Sequence, residues 1–145
     1  MITPDPWEQH ISLATVFSLY REGIRRYGGD PSDPKPGCVE RSLAAAWNAE
    51  SYTVADHGHL PGLVLAGYLL VYLAMNHCFT DGNKRVAWST ALHILRRHGL
   101  TIEATDDESE QLVNDIITGT IPGGGHGVAM WLAERLIAIE YMADR

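Results

Sequence analysis

An uncharged stretch, Leu60 to Met75, is the feature that most constrains the fold of this 145-residue chain. A helix that is apolar on every side must be buried, either in a membrane or at the centre of a bundle. The stretch is shorter than the roughly twenty residues that cross a bilayer, and it contains Gly67, Tyr68 and Tyr72. It therefore predicts a buried central helix with other helices packed around it, and no membrane interaction.

Amphipathic segments on both sides of this stretch predict the helices that surround it. Apolar residues recur every three or four positions from Leu13 to Tyr27, with Ser12 as a candidate N-cap and Gly28 as a stop. Further helices are predicted from Pro36 onward, from Asn83 or Lys84 to His98, from Thr105 to about Thr118, and from Val128 to Met142. We predict an all-α, single-domain chain over residues 1–145, with a core at roughly 11–140 and about six helices.

Three segments between these helices are predicted to be irregular or extended. Residues 50–59 contain the β-prone run Tyr52 to Val54 and are a candidate for a short flap, with a plain interhelical loop as the alternative. Residues 100–104 predict a short extended crossing. The glycine-rich stretch from Pro122 to Gly127 predicts a flexible connector.

Composition excludes several classes of protein. The formal net charge of −7 repels nucleic-acid phosphates, so we expect no direct nucleic-acid partner. Cys38 and Cys78 have no metal-site spacing, and we predict two reduced packing residues rather than a disulfide or a zinc site. The first residues lack the basic and apolar regions of a secretory signal, so we expect a cytoplasmic protein.

The most concentrated run of reactive and anion-binding side chains extends from His77 to Arg85. Asp81-Gly82-Asn83 is predicted to be the turn between the apolar helix and the next one. The first N–H groups of a helix lack intrahelical partners, and the helix dipole places partial positive charge there. We therefore predict an anion site at this helix start, where Gly82 allows a phosphate to approach the backbone.

The side chains of the run supply complementary chemistry. Histidine can accept a proton near neutral pH, which makes His77 a candidate base. Asp81 offers a hard oxygen ligand for Mg²⁺, and Lys84 and Arg85 add positive charge for phosphates. The combination predicts phosphoryl or nucleotidyl transfer. From spacing alone, the alternative is an interhelical turn with a histidine at the helix dipole and solvated charges.

The run His-Cys-Phe-Thr-Asp-Gly-Asn-Lys-Arg at 77–85 resembles the signature of the Fic/Doc family, and Lys84 resembles its Doc branch. Arg26 to Gly29, residues 92–99 and the acidic helix after Thr105 also fall where Doc-like chains have comparable features. The resemblance covers roughly residues 11–140 and implies a Fic/Doc-type bundle of helices.

The resemblance also implies a role for each residue of the run. His77 would activate a protein hydroxyl, and Asp81 would hold Mg²⁺. Nucleotide phosphates would be bound by Gly82, Asn83, Lys84 and Arg85, the last two also being catalytic.

Two positions favour the Doc branch over members that transfer AMP. Those members usually have glycine where Lys84 stands and a second arginine where Trp88 stands. The resemblance then implies the toxin of a toxin–antitoxin pair, a Mg²⁺- and ATP-dependent kinase that phosphorylates a translation factor resembling elongation factor Tu, with an antitoxin as partner. Gly82 departs from the alanine often found in Doc. The alternatives are AMP or NMP transfer to a protein hydroxyl and a non-catalytic interaction module.

Overall fold

The computed structural model describes residues 3–57 and 60–140, with side chains described for 3–52 and 60–140. The helices are α1 (Leu13–Tyr27), α2 (Cys38–His57), α3 (Leu63–Met75), α4 (Asn83–Arg97), α5 (Asp106–Thr118) and α6 (Gly124–Ala133). A 3₁₀ helix, Pro6–Gln9, precedes them, and two short strands, β1 (Leu100–Ile102) and β2 (Leu136–Ala138), pair antiparallel. The predicted all-α bundle is confirmed.

Helix α3 is the centre of the bundle, as its lack of charge predicted. It contacts α2, α4, α5 and α6. Its leucines Leu65, Leu69, Leu70 and Leu73 have no exposed surface. Over residues 3–57 and 60–140, no helix is long and apolar enough to span a bilayer.

Glycines bring α3 and α6 into close contact. A Cβ added to Gly67 would lie 2.8 Å from the backbone N of Ala129 and 2.8 Å from the carbonyl oxygen of Gly125. Gly125 in turn lies against the ring of Tyr68. The prediction of a flexible connector over 122–127 is wrong from residue 124 onward, because packing against α3 outweighs the low helix propensity of glycine.

The chain after α6 also differs from its prediction. The helix predicted over Val128 to Met142 ends at Ala133, and Leu136–Ala138 pairs with Leu100–Ile102 instead. Pairing with β1 satisfies backbone groups that would otherwise be left unpaired there. The extended crossing predicted at 100–104 is confirmed by β1, and residues 141–145 lie outside the described part of the chain.

The candidate flap at 50–59 is helical, not extended, over its described residues 50–57. Helix α2 continues through this segment to His57, so the predicted strand at Tyr52 to Val54 is wrong. Gly58 and His59 lie outside the described residues. Hydrogen bonds from the start of α3 to Glu50 fix this part of α2 in place, and the helical backbone outweighs the β propensity of the run.

Glu50 caps the N-terminus of α3 from the neighbouring helix. The N-cap residue of α3 is Gly62, whose φ is 87° and which has no side chain to accept a hydrogen bond. The Glu50 carboxylate is 1 % exposed and accepts hydrogen bonds from the backbone N–H groups of Gly62 at 2.6 Å and Leu65 at 2.7 Å. One carboxylate thus satisfies two unpaired donors and complements the helix dipole.

A histidine pair, the buried His10 and the exposed His98, lies near the same end of the bundle. His10 is 5 % exposed, its Nδ1 lies 2.9 Å from Nε2 of His98, and its ring contacts Trp47. Burial lowers the pKa of His10, and His98 and then Arg97 act in the same direction, whereas Glu50 opposes them. The pair therefore favours a neutral His10 in the folded protein.

The His10 pair predicts a loss of stability in mild acid. Because its folded pKa lies below the ordinary value of 6.5, the unfolded chain binds more protons as the pH falls through that value. Stability present at about pH 7.5 should therefore decrease toward about pH 5.5. Thermal unfolding of the His10→Asn variant should show a smaller decrease than the wild type, while His126→Asn, at an exposed histidine, should behave like the wild type. An equal decrease in His10→Asn would contradict this assignment.

Candidate active site

The predicted motif folds into the connection between α3 and α4, which we call the histidine loop (residues 76–82). His77 is exposed, whereas Cys78 and Phe79 are buried. Its φ of 51° makes His77 the one non-glycine residue with positive φ in the described part of the chain. Such a backbone costs free energy and persists where the surrounding contacts impose it. The imidazole is thus presented to solvent at the end of the central helix.

Asn83 locks the histidine loop onto the start of α4. Its Nδ2 donates to the carbonyl oxygen of Phe79 at 2.8 Å, and its Oδ1 accepts from the Phe79 N–H at 3.1 Å. The buried Phe79 ring stacks on Tyr20 with 4.2 Å between ring centres, which anchors the loop to α1. Because the amide of Asn83 is engaged in this way, its predicted phosphate contact is left to its backbone N–H.

The turn before α4 has the predicted open geometry. Helix α4 begins at Asn83, and the N-cap Gly82 has a φ of 77° in the left-handed region. The exposed Asp81 accepts a hydrogen bond from the Gly82 N–H at 2.8 Å through Oδ1. A Cβ on Gly29 would lie 2.7 Å from Asp81 Oδ2, so the end of α1 passes directly beside this carboxylate.

Both cations of the motif are held by neighbouring helices. Arg85 donates from Nη2 to the carbonyl oxygen of Gly28 at 3.0 Å, and its guanidinium lies 5.4 Å from the centre of the Tyr27 ring. Lys84 donates from Nζ to Oδ1 of Asn114 at 3.4 Å. Tyr27 and Gly28 belong to a run that supported the family resemblance, but the sequence assigned them no contact with Arg85. Nothing in the sequence marked Asn114.

These residues border one depression, which we call the histidine cleft. Its volume is about 510 Å³. All six predicted site residues line it, namely His77, Asp81, Gly82, Asn83, Lys84 and Arg85. The exposed apolar side chains of Met75 and Ile117 also line it. The structure therefore brings the candidate base, carboxylate and cations together around a space large enough for a phosphorylated ligand.

A second cavity of about 550 Å³ shares Lys84 and Arg85 with the histidine cleft. It lies between the end of α1, α4 and α5, with Tyr27 and Trp88 among its lining residues. Trp88 is half-buried and packs edge-on against Trp131, with 6.3 Å between ring centres. The two cations therefore stand between two adjoining spaces.

The donor set at the cleft fits a metal ion that takes one ligand from the protein and others from a phosphate. Within the ranges that the structure describes, no three His, Cys, Asp or Glu side chains are grouped to hold a metal ion. Asp81 is a single exposed carboxylate at the cleft, with Oδ2 not engaged by the Gly82 N–H. Mg²⁺ is commonly held by one or two carboxylates together with phosphate oxygens and water. Asp81 suits that arrangement.

The two cysteines form a disulfide, so the prediction of reduced cysteines is wrong. Cys38 and Cys78 are 40 residues apart in sequence, yet their Cα atoms lie 5.4 Å apart. The fold brings the first residue of α2 against the histidine loop. Sequence spacing alone carries no signal for such a tertiary contact.

Comparison with known proteins identifies the family. The Fic/DOC family model matches residues 10–95, a range that contains the whole histidine loop. The chain is 36% identical over 95 residues to "Protein kinase doc" of Escherichia phage P1, covering 65% of this chain and 71% of that protein. It is 42% identical over 55 residues to "Toxin Doc" of Mycolicibacterium smegmatis, covering 37% of this chain and 42% of that protein. Together with the motif at the junction of α3 and α4, these matches show that the chain belongs to the Doc branch of the Fic/DOC family.

Proposed function

We propose that this protein is a Doc-type toxin that transfers the γ-phosphoryl group of Mg²⁺-bound ATP to a serine or threonine hydroxyl of another protein. The observation that carries the proposal is the convergence in one cleft of an exposed His77, the carboxylate of Asp81 and the cationic start of α4. The names of the two relatives, a protein kinase and a toxin, support the same class.

The residues of the cleft divide the work of such a transfer. His77 would accept the proton of the attacking hydroxyl, and its exposure allows a large protein substrate to reach it. Lys84, Arg85 and the first N–H groups of α4 would hold the phosphate oxygens. Asp81 would hold Mg²⁺, which when bound neutralises charge on those oxygens. Phosphoryl transfer depends mainly on such positioning and charge neutralisation.

Two side chains favour attack at the γ-phosphate over attack at the α-phosphate. Lys84 extends from the start of α4 to Asn114, in a place that AMP-transferring members keep open with glycine. Trp88 offers an aromatic ring, packed against Trp131, where those members usually have a second arginine. A bound triphosphate would therefore meet a different distribution of charge and volume from that in AMP-transferring members. This difference supports phosphoryl transfer over nucleotidyl transfer.

Separate labelling of ATP at the α and γ positions tests the reaction. The protein should transfer γ-label, and no α-label, to purified elongation factor Tu, the proposed class of target. Chelation of Mg²⁺ should abolish the transfer. Transfer of label from the α position alone would contradict the kinase reaction and indicate nucleotidyl transfer instead. Transfer to other proteins of a translation extract, but not to elongation factor Tu, would correct the target and leave the reaction in place.

An antitoxin is the proposed partner. A small groove of about 240 Å³ between α1 and α4 has Leu19 and Leu92 in its lining together with Arg26, Arg85 and Arg96. Apolar contacts flanked by three arginines, against one acidic residue of the lining, Glu22, suit an acidic amphipathic segment. Co-purification of the product of the neighbouring reading frame, compared between the wild type and Arg96→Glu, tests this assignment. Equal recovery with both proteins would place the partner elsewhere.

A further inference from the structure

We propose that the Cys38–Cys78 disulfide is a redox-sensitive brace on the histidine loop: in the oxidised protein it holds His77 in place for transfer, and its reduction slows transfer. The effect on transfer rests on the proposed function. The effect on the loop does not, because it follows from the contacts of the loop alone.

The disulfide is attached at the residue next to the candidate base. Cys78 directly follows His77 and is 1 % exposed, and Cys38 is the first residue of α2 and is 8 % exposed. The bond therefore joins a buried point of the histidine loop to a separate helix. It is the only covalent tie in the loop besides the chain itself, within the residues that the structure describes.

Hydrogen bonds hold the loop to the same region on both sides of His77. The Lys35 N–H donates to the carbonyl oxygen of Cys78 at 2.8 Å. Asn76 donates from Nδ2 to the Ser42 hydroxyl at 3.0 Å, and that hydroxyl donates to the carbonyl oxygen of Cys38 at 3.0 Å. The residues before and after His77 are thus both fixed to α2 or its lead-in.

This attachment explains the unusual backbone of His77. A φ of 51° is uncommon for a residue other than glycine and persists where the contacts of the neighbouring residues impose it. Reduction removes the covalent constraint on Cys78 and leaves the hydrogen bonds. The His77 backbone can then relax toward negative φ, which moves the imidazole. The start of α4 keeps its own anchor through Asn83 and Phe79.

Reduction needs a dithiol reductant, which supplies two electrons and two protons. A thiolate of the reductant attacks the sulfur of Cys38, the less buried of the pair, and forms a mixed disulfide while Cys78 leaves as a thiolate that takes up a proton. The second thiol of the reductant then displaces Cys38. The products are two protein thiols and the reductant in its disulfide form.

Transfer kinetics of oxidised and reduced protein test the brace. After reduction with dithiothreitol and alkylation, kcat for γ-label transfer should fall roughly three- to tenfold, while KM for ATP stays unchanged. The Cys38→Ser variant lies outside the motif and should match the reduced wild type, with no response to dithiothreitol. An unchanged kcat on reduction, or a response that persists in Cys38→Ser, would overturn the proposal.

Amide hydrogen exchange provides a readout that does not depend on activity. Peptides covering residues 76–79 should exchange faster after reduction, while peptides from α6 should not change. Faster exchange without any transfer activity in either form would support the brace on the loop and count against the proposed function. Equally faster exchange in peptides from α6 would show that the disulfide stabilises the whole fold, and it would overturn the proposal of a local brace. Free thiols in the air-oxidised protein would overturn it as well.

Discussion

Replacing His77 with alanine is expected to lower the rate of γ-phosphoryl transfer by about a hundredfold to ten-thousandfold, the usual contribution of a positioned general base. The side chain is exposed and lines the histidine cleft, so its removal deletes the proton acceptor without disturbing the core. The free energy of unfolding should fall by no more than about 1 kcal/mol, since alanine must keep the same positive φ at this exposed position. Single-turnover transfer and thermal unfolding measure the two effects separately, and expression of the variant should no longer inhibit growth.

The matched control is His126→Ala, because His126 is also exposed but lies on α6 away from the cleft. It should retain the wild-type rate. Binding of ATP to His77→Ala should persist, since the start of α4 and its cations are intact. If His77→Ala kept more than about a tenth of the rate, His77 would not be the base. If it lost transfer but still inhibited growth, the toxicity would come from a non-catalytic interaction.

Replacing Glu50 with glutamine is expected to cost about 3 kcal/mol of stability, and the alanine variant at least as much. Glutamine keeps the volume of the side chain, but it offers one acceptor oxygen where the carboxylate offers two. Its NH₂ group would face either the Gly62 or the Leu65 N–H, both now bound to Glu50. Two buried donors at the start of the central helix therefore compete for one acceptor.

Chemical and thermal unfolding measure this effect. A loss of 3 kcal/mol corresponds to roughly 10 °C in Tm for a chain of this length. Glu40 provides the control because it is an exposed glutamate on the same helix, and Glu40→Gln should change stability by less than about 0.5 kcal/mol. Equal effects at the two positions would mean that the contacts of Glu50 with α3 do not stabilise the fold.

Elements marked by local signals were predictable from the sequence. Ser12 accepts a hydrogen bond from the Thr15 N–H at the predicted start of α1. Thr105 and Glu108 form a capping box at the predicted start of α5. The motif was predictable for the same reason, since its residues are consecutive and a turn followed by a helix start places them together.

Features that depend on tertiary contact were not predictable. Gly125 is a helix residue only because Gly67 allows α6 to approach α3, and a glycine-rich run alone indicates a loop. The partner of Cys78 is 40 residues away, so its pairing carries no local pattern. Glu50 reads as an ordinary charged residue until its burial against the start of α3 is known.

The paired hydrogen bonds between Asn83 and Phe79 couple the end of the imidazole-bearing loop to the first turn of α4. The preceding residues of the loop are fixed to α2 through Cys78 and Asn76, so a tilt of α4 would strain the loop between two helices instead of carrying it along. Substitutions near Arg97, at the distant end of α4, that tilt the helix would for that reason be felt between His77 and Phe79, where the attachments to the two helices meet.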